Sequence, residues 1–156
     1  MIDGTRIIHE LEQEREAGAS RDGLLKGAVQ RIESAEAHYD WVGIYLLEDD
    51  VLVLHNYIGK VTDHTRIPVG QGVCGTAVAE ERDINVADVH ALSNYLACSL
   101  ETVSELVVLI RDSGSGEIFG QLDLDSDRRS AFTERDEREL RVVADWLAGV
   151  LGTVVA

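Results

Sequence analysis

A chain of 156 residues has the length of one domain, and 45% apolar with 28% charged residues is a globular composition that excludes a disordered chain. Twenty-nine acids against 14 lysines and arginines give a net charge of −15, and a surface this negative repels phosphates and anionic lipid, which excludes a general nucleic-acid binder. No apolar run approaches the roughly 20 residues that cross a bilayer, and residues 1–6 lack the basic and apolar regions of a secretory signal. The expectation is one soluble, cytoplasmic domain over 1–156.

In chain order, residues 2–17 read as a polar helix with a thin apolar face of Ile7, Ile8 and Leu11, stopped by Gly18. Ser20 caps a second helix whose Leu24, Leu25, Ala28, Val29 and Ile32 keep helical spacing to near His38. The period then changes. Trp41-Val42-Gly43-Ile44-Tyr45-Leu46-Leu47 is aromatic and β-branched, Glu48-Asp49-Asp50 is a turn, and residues 51–58 return as a second strand. Residues 59–75, rich in glycine and carrying Pro68, read as a loop that feeds a short helix over 76–80. A brief strand follows at 83–86.

Residues 88–102 show no usable period and read as a long loop, the kind of segment that binds or catalyses. A second hairpin spans 104–110 and 118–124 around a Gly-Ser turn. The last helix opens on Thr133 with Asp136 three residues on, a variant of the capping box, and buries Leu140, Val143, Trp146, Leu147, Val150 and Leu151. This order predicts an α+β fold: a central antiparallel sheet, the terminal helices on one face and the ligand loops on the other.

Two cysteines exclude a secreted disulfide framework. Cys74, among glycines near a helix start, and Cys98, in the long loop, are free thiols, one bridge, or a redox pair. Asp123 and Asp125 are two apart on a strand and share a face, and Glu105 on the preceding strand can join them. Three acids around one pocket suit an ammonium group or a proton donor whose pKa its neighbours raise; the alternative is a solvated edge. Trp41 and Tyr45 share a face as core or as pocket wall. There is no C-x-x-C or H-x-x-x-H pair, and His55, His64 and His90 are scattered, so no metal site is expected, nor any other cofactor. Gly70-x-Gly72-x-x-Gly75 precedes no βαβ unit and is no nucleotide loop.

Together these residues resemble a family. Trp41-Val42-Gly43-Ile44-Tyr45, Gly70-x-Gly72-Val73-Cys74-Gly75-Thr76-Ala77, Asn85-Val86-Ala87-Asp88-Val89-His90, Leu96-Ala97-Cys98, Ser104-Glu105-Leu106-Val107-Val108 and Leu122-Asp123-Leu124-Asp125-Ser126 are similar, in order and spacing, to the free methionine-R-sulfoxide reductases, which are stand-alone GAF domains. The resemblance covers residues 38–150 and implies a GAF-like fold. It further implies that Cys98 attacks the sulfoxide sulfur of free methionine sulfoxide, that Trp41 and Tyr45 wall the substrate, and that Glu105, Asp123 and Asp125 hold its amino group and supply a proton. A thioredoxin-like reductant and a homodimer are implied as partners.

Three positions depart from the family's pattern. His64 stands where its first cysteine lies, which leaves Cys74 as the internal resolving thiol. Leu109 replaces a proline, and Asn94-Tyr95-Leu96 replaces Gly-His-Ile. The competing expectation is a GAF module that binds a small molecule without catalysis, or one that senses redox state by bridging Cys74 to Cys98.

Overall fold

The structure, a computed structural model, describes residues 1–93 and 101–152. Its elements are α1 (Gly4–Glu16), α2 (Arg21–Ala35), β1 (Trp41–Glu48), β2 (Val51–Ile58), β3 (Arg66–Pro68), α3 (Gly72–Glu80), β4 (Ile84–Val86), a 3-10 turn (Val89–Ala91), β5 (Ser104–Arg111), β6 (Ile118–Ser126) and α4 (Glu134–Gly152). The helix signals read from sequence act where they were expected. Ser20 accepts from the Gly23 amide at 3.0 Å. Thr133 and Asp136 exchange hydrogen bonds, Thr133 N to Asp136 Oδ2 at 2.7 Å and Asp136 N to Thr133 Oγ1 at 3.3 Å, which is the reciprocal cap of α4.

Two expectations need correction. The loop before Cys74 contains a strand, β3, that pairs its Ile67 with Leu52 of β2. A three-residue strand carrying a proline has no period to read, and it survives because an edge position tolerates a residue without an N–H. The helix expected over 76–80 starts earlier, so Cys74 lies inside its first turn instead of ahead of it. At the element ends, α2 stops at Ala35, short of His38.

Among the described residues, six strands form one sheet in the order β3-β2-β1-β6-β5-β4, every neighbouring pair antiparallel. Period-two alternation gives the sheet two unlike faces. Val42, Ile44, Leu106, Val108, Ile110, Leu122 and Leu124 point to α1, α2 and α4 and form the main core with Leu25, Ile32, Leu140 and Leu147. Trp41, Tyr45, Val107 and Leu109 point the other way, onto α3 and β3. The terminal helices therefore cover one face, as expected, and the chemistry-bearing residues occupy the other. Among the described residues, no helix is long and apolar enough to cross a membrane.

Candidate active site

The register of the three central strands builds the site. Trp41 of β1 is opposite Asp125 of β6, and Asp125 is opposite Glu105 of β5. One row on, Gly43 is opposite Asp123, which faces Val107. The next row is Tyr45, Gln121 and Leu109. All of these alternate onto the α3 face. Trp41, Tyr45, Glu105, Asp123 and Asp125, singled out from sequence, thus converge on one surface, and each is at most 1% exposed.

Cys74 joins them from α3. Its Sγ donates to Glu105 Oε2 at 3.7 Å, and one ligand atom from each of Cys74, Glu105 and Asp123 lies within 4.8 Å of the other two. The three could share one metal ion, and among the described residues no other such group of three exists. Cys98, expected as the nucleophile, lies outside the described residues.

Three carboxyl groups buried this closely cannot all ionise. Burial pushes the Glu105 carboxyl well above the ordinary carboxylate value, and the charges of Asp123 and Asp125 and a hydrogen bond with Asp123 push the same way. The Cys74 hydrogen bond opposes them. A hydrogen bond between two carboxyl groups requires a proton on one of them, and the upward shift of Glu105 makes it the group that holds it. It can neutralise an ammonium group and also give up a proton, the two tasks expected of it from sequence.

The aromatic wall is held rigidly. The Trp41 ring stacks on Tyr57 with centroids 5.2 Å apart and planes at 17°, and lies 6.4 Å from the Tyr45 ring. Its indole N–H donates to the Lys60 carbonyl at 3.1 Å. Tyr45 donates its hydroxyl to the His64 carbonyl at 2.7 Å, so His64 supports the wall through its backbone. Gly43 is required here: a Cβ on it would sit 2.5 Å from the indole Cη2.

Sequence reasoning missed three contributors. Tyr57 and Lys60 come from the β2 end and touch Trp41 only through the fold. Gln121 is wholly buried, and neither of its amide atoms has a hydrogen-bond partner. The signal available for Gln121 was its place two residues before Asp123 on the same strand face. A cavity of about 180 Å³ opens beside the row of Trp41 and Asp125, with Asp40, Lys60, Glu101 and Asp127 on its walls.

The GAF domain family matches over residues 20–151. Over 114 residues, 73% of this chain and 67% of the other, the sequence is 44% identical to the free methionine-R-sulfoxide reductase of Escherichia coli. The fold superposes on a type II free methionine-R-sulfoxide reductase from Thermoplasma acidophilum with a TM-score of 0.79 and 38% identity, covering 84% of this chain and 92% of that one. It also superposes on a free methionine-R-sulfoxide reductase from Neisseria meningitidis, solved in complex with its substrate, with a TM-score of 0.84 and 31% identity over 96% and 88% of the two chains.

Proposed function

The chain belongs to the GAF family, among its free methionine-R-sulfoxide reductases, and from that premise we infer that it reduces free L-methionine (R)-sulfoxide to methionine by a thiol cycle. The observation that carries the reading is the convergence of a thiol, three buried carboxyl groups and two aromatic rings on one sheet face. A pure binding module has no use for a cysteine hydrogen-bonded to a buried acid cluster.

The roles follow from the chemistry. The ammonium of the substrate is held by Asp123 and Asp125, since an unpaired buried charge costs several kcal/mol, and Trp41 and Tyr45 wall the sulfoxide and its methyl group. The Cys98 thiolate attacks the sulfoxide sulfur, and the Glu105 carboxyl protonates the oxygen. The oxygen passes to Cys98 as a sulfenic acid and methionine leaves, two electrons having moved from the cysteine to the substrate. Cys74 condenses with the sulfenic acid, releasing water and forming a disulfide. An external dithiol of the thioredoxin kind reduces that bridge and is itself oxidised. A cycle of this kind belongs in a reducing compartment such as the cytoplasm, and family membership also supports pairing of two copies of the chain.

The test is to incubate reduced protein with each epimer of free methionine sulfoxide and quantify methionine. Methionine from the R epimer alone is expected. Binding of either epimer without any methionine returns the chain to the class of binding modules.

A further inference from the structure

We propose that Cys74, Glu105, Asp123 and Gln121 form a site for one thiophilic divalent cation of the zinc class, and that an ion held there stops the sulfoxide cycle reversibly. The stop rests on the reductase reading above; the site itself does not.

The donors come from three elements, α3, β5 and β6, so no ligand spacing such as C-x-x-C announces them in the sequence. A zinc–thiolate bond of about 2.3 Å and a zinc–carboxylate bond of about 2.0–2.2 Å, meeting at a tetrahedral angle, put sulfur and oxygen about 3.5–3.7 Å apart. Cys74 Sγ and Glu105 Oε2 already stand 3.7 Å apart. One ligand atom from each of Cys74, Glu105 and Asp123 lies within 4.8 Å of the other two, and a side-chain movement of about 1 Å closes the remaining edges.

A fourth donor points the same way. Gln121 is wholly buried, and neither of its amide atoms has a hydrogen-bond partner. It precedes Asp123 by two residues on β6, so the two side chains share a face with Cα atoms about 7 Å apart, near enough for both tips to meet at one ion. Tyr45 and Leu109, which lie opposite Gln121, pack in one cluster with Cys74. In turnover without added metal Gln121 only packs; with the ion, its Oε1 becomes a ligand.

Softness and burial decide which ion fits. Cys74 is 4% exposed and the other three donors at most 1%. Such a closed site leaves little room for the waters that a magnesium ion retains, and a thiolate favours zinc over calcium. The way in is the cavity beside Asp125, which is opposite Glu105, so ion and substrate compete. On the reductase reading Asp123 holds the substrate ammonium, Glu105 supplies the proton and Cys74 resolves the sulfenic acid. The ion takes all three, sending the thiol proton to solvent, and a chelator returns them.

The experiment titrates reduced protein with Co²⁺, a spectroscopic substitute for Zn²⁺, in the wild type, Cys74→Ser, Cys98→Ser, Asp123→Asn and Gln121→Met, each first shown to melt cooperatively. One ion per chain is expected, with tetrahedral visible bands and a sulfur-to-cobalt charge-transfer band. Zn²⁺ displaces it and Mg²⁺ does not. The band persists in Cys98→Ser and vanishes in Cys74→Ser, and Asp123→Asn and Gln121→Met weaken binding by about tenfold or more. In single turnover of L-methionine (R)-sulfoxide, Zn²⁺ suppresses methionine formation, excess substrate relieves the block, and EDTA removes it. Absence of a sulfur band, a band lost with Cys98→Ser as fully as with Cys74→Ser, or binding indifferent to Asp123→Asn and Gln121→Met overturns the site. Full turnover by Zn²⁺-saturated protein overturns the stop. Protein that binds Co²⁺ through Cys74 yet forms no methionine in the absence of metal keeps the site and overturns the reductase reading.

Discussion

Cys74 Sγ lies 3.7 Å from Glu105 Oε2, so the thiol that sequence reasoning placed in a loop faces the carboxyl cluster, and Cys74 is only 4% exposed. On the proposed cycle, the contact couples the resolving thiol to the proton donor. Because the Cys74 hydrogen bond lowers the Glu105 pKa, Cys74→Ala lets that pKa rise further and keeps the acid protonated to higher pH. Single-turnover methionine formation should then hold its rate further into the alkaline range, yield one methionine per chain, and fail to recycle with a dithiol. If Cys74→Ala abolishes the first methionine and Cys98→Ser retains it, the two thiols have the opposite roles.

Glu105 also makes stability depend on pH. Its native-state pKa is raised above the ordinary 4.5, by burial first and then by Asp123 and Asp125, so folding takes up a proton. The stability that comes with that proton is complete below the unfolded value and is lost as pH rises through the native one. Glu105→Gln is neutral throughout and escapes the decline. Thermal melts of wild type and variant from about pH 5 upwards should separate in favour of the variant as pH rises; parallel curves would mean that the cluster holds no such proton.

Gly43→Ala introduces a Cβ against the Trp41 indole, between it and Tyr57. The ring is stacked and hydrogen-bonded and has little room to yield, so a loss of about 1–3 kcal/mol is expected. Urea unfolding measures it, and quenching of the Trp41 fluorescence environment reports the displaced wall. A variant as stable as wild type with normal KM means that the indole is free to move.

Gln121 buries two unpaired amide atoms between Tyr45 and Leu109. Replacing it by an apolar side chain of similar length removes that penalty, so Gln121→Met should be about 1–3 kcal/mol more stable. A rise in KM alongside the higher Tm places the amide on the substrate. An unchanged KM leaves it a packing residue, and a fall in Tm contradicts the reading of an unsatisfied amide.

Much of this protein was legible locally. The caps at Ser20 and Thr133, the two hairpins, and the period-two placement of Trp41 with Tyr45 and Asp123 with Asp125 depend on residues within a few positions of one another, and each formed as read. The motifs in their order were enough to indicate the GAF fold. What only the tertiary structure decided is the pairing across strands and loops: Trp41 opposite Asp125 opposite Glu105, Cys74 pointing at Glu105, Lys60 tied to the indole, and β3 on the sheet edge. A shift of one residue in the β1–β6 register would send Trp41 and the acids to opposite faces. That register is set by the simultaneous packing of α1, α2 and α4 on one face and α3 on the other, a long-range condition that no short stretch of sequence expresses.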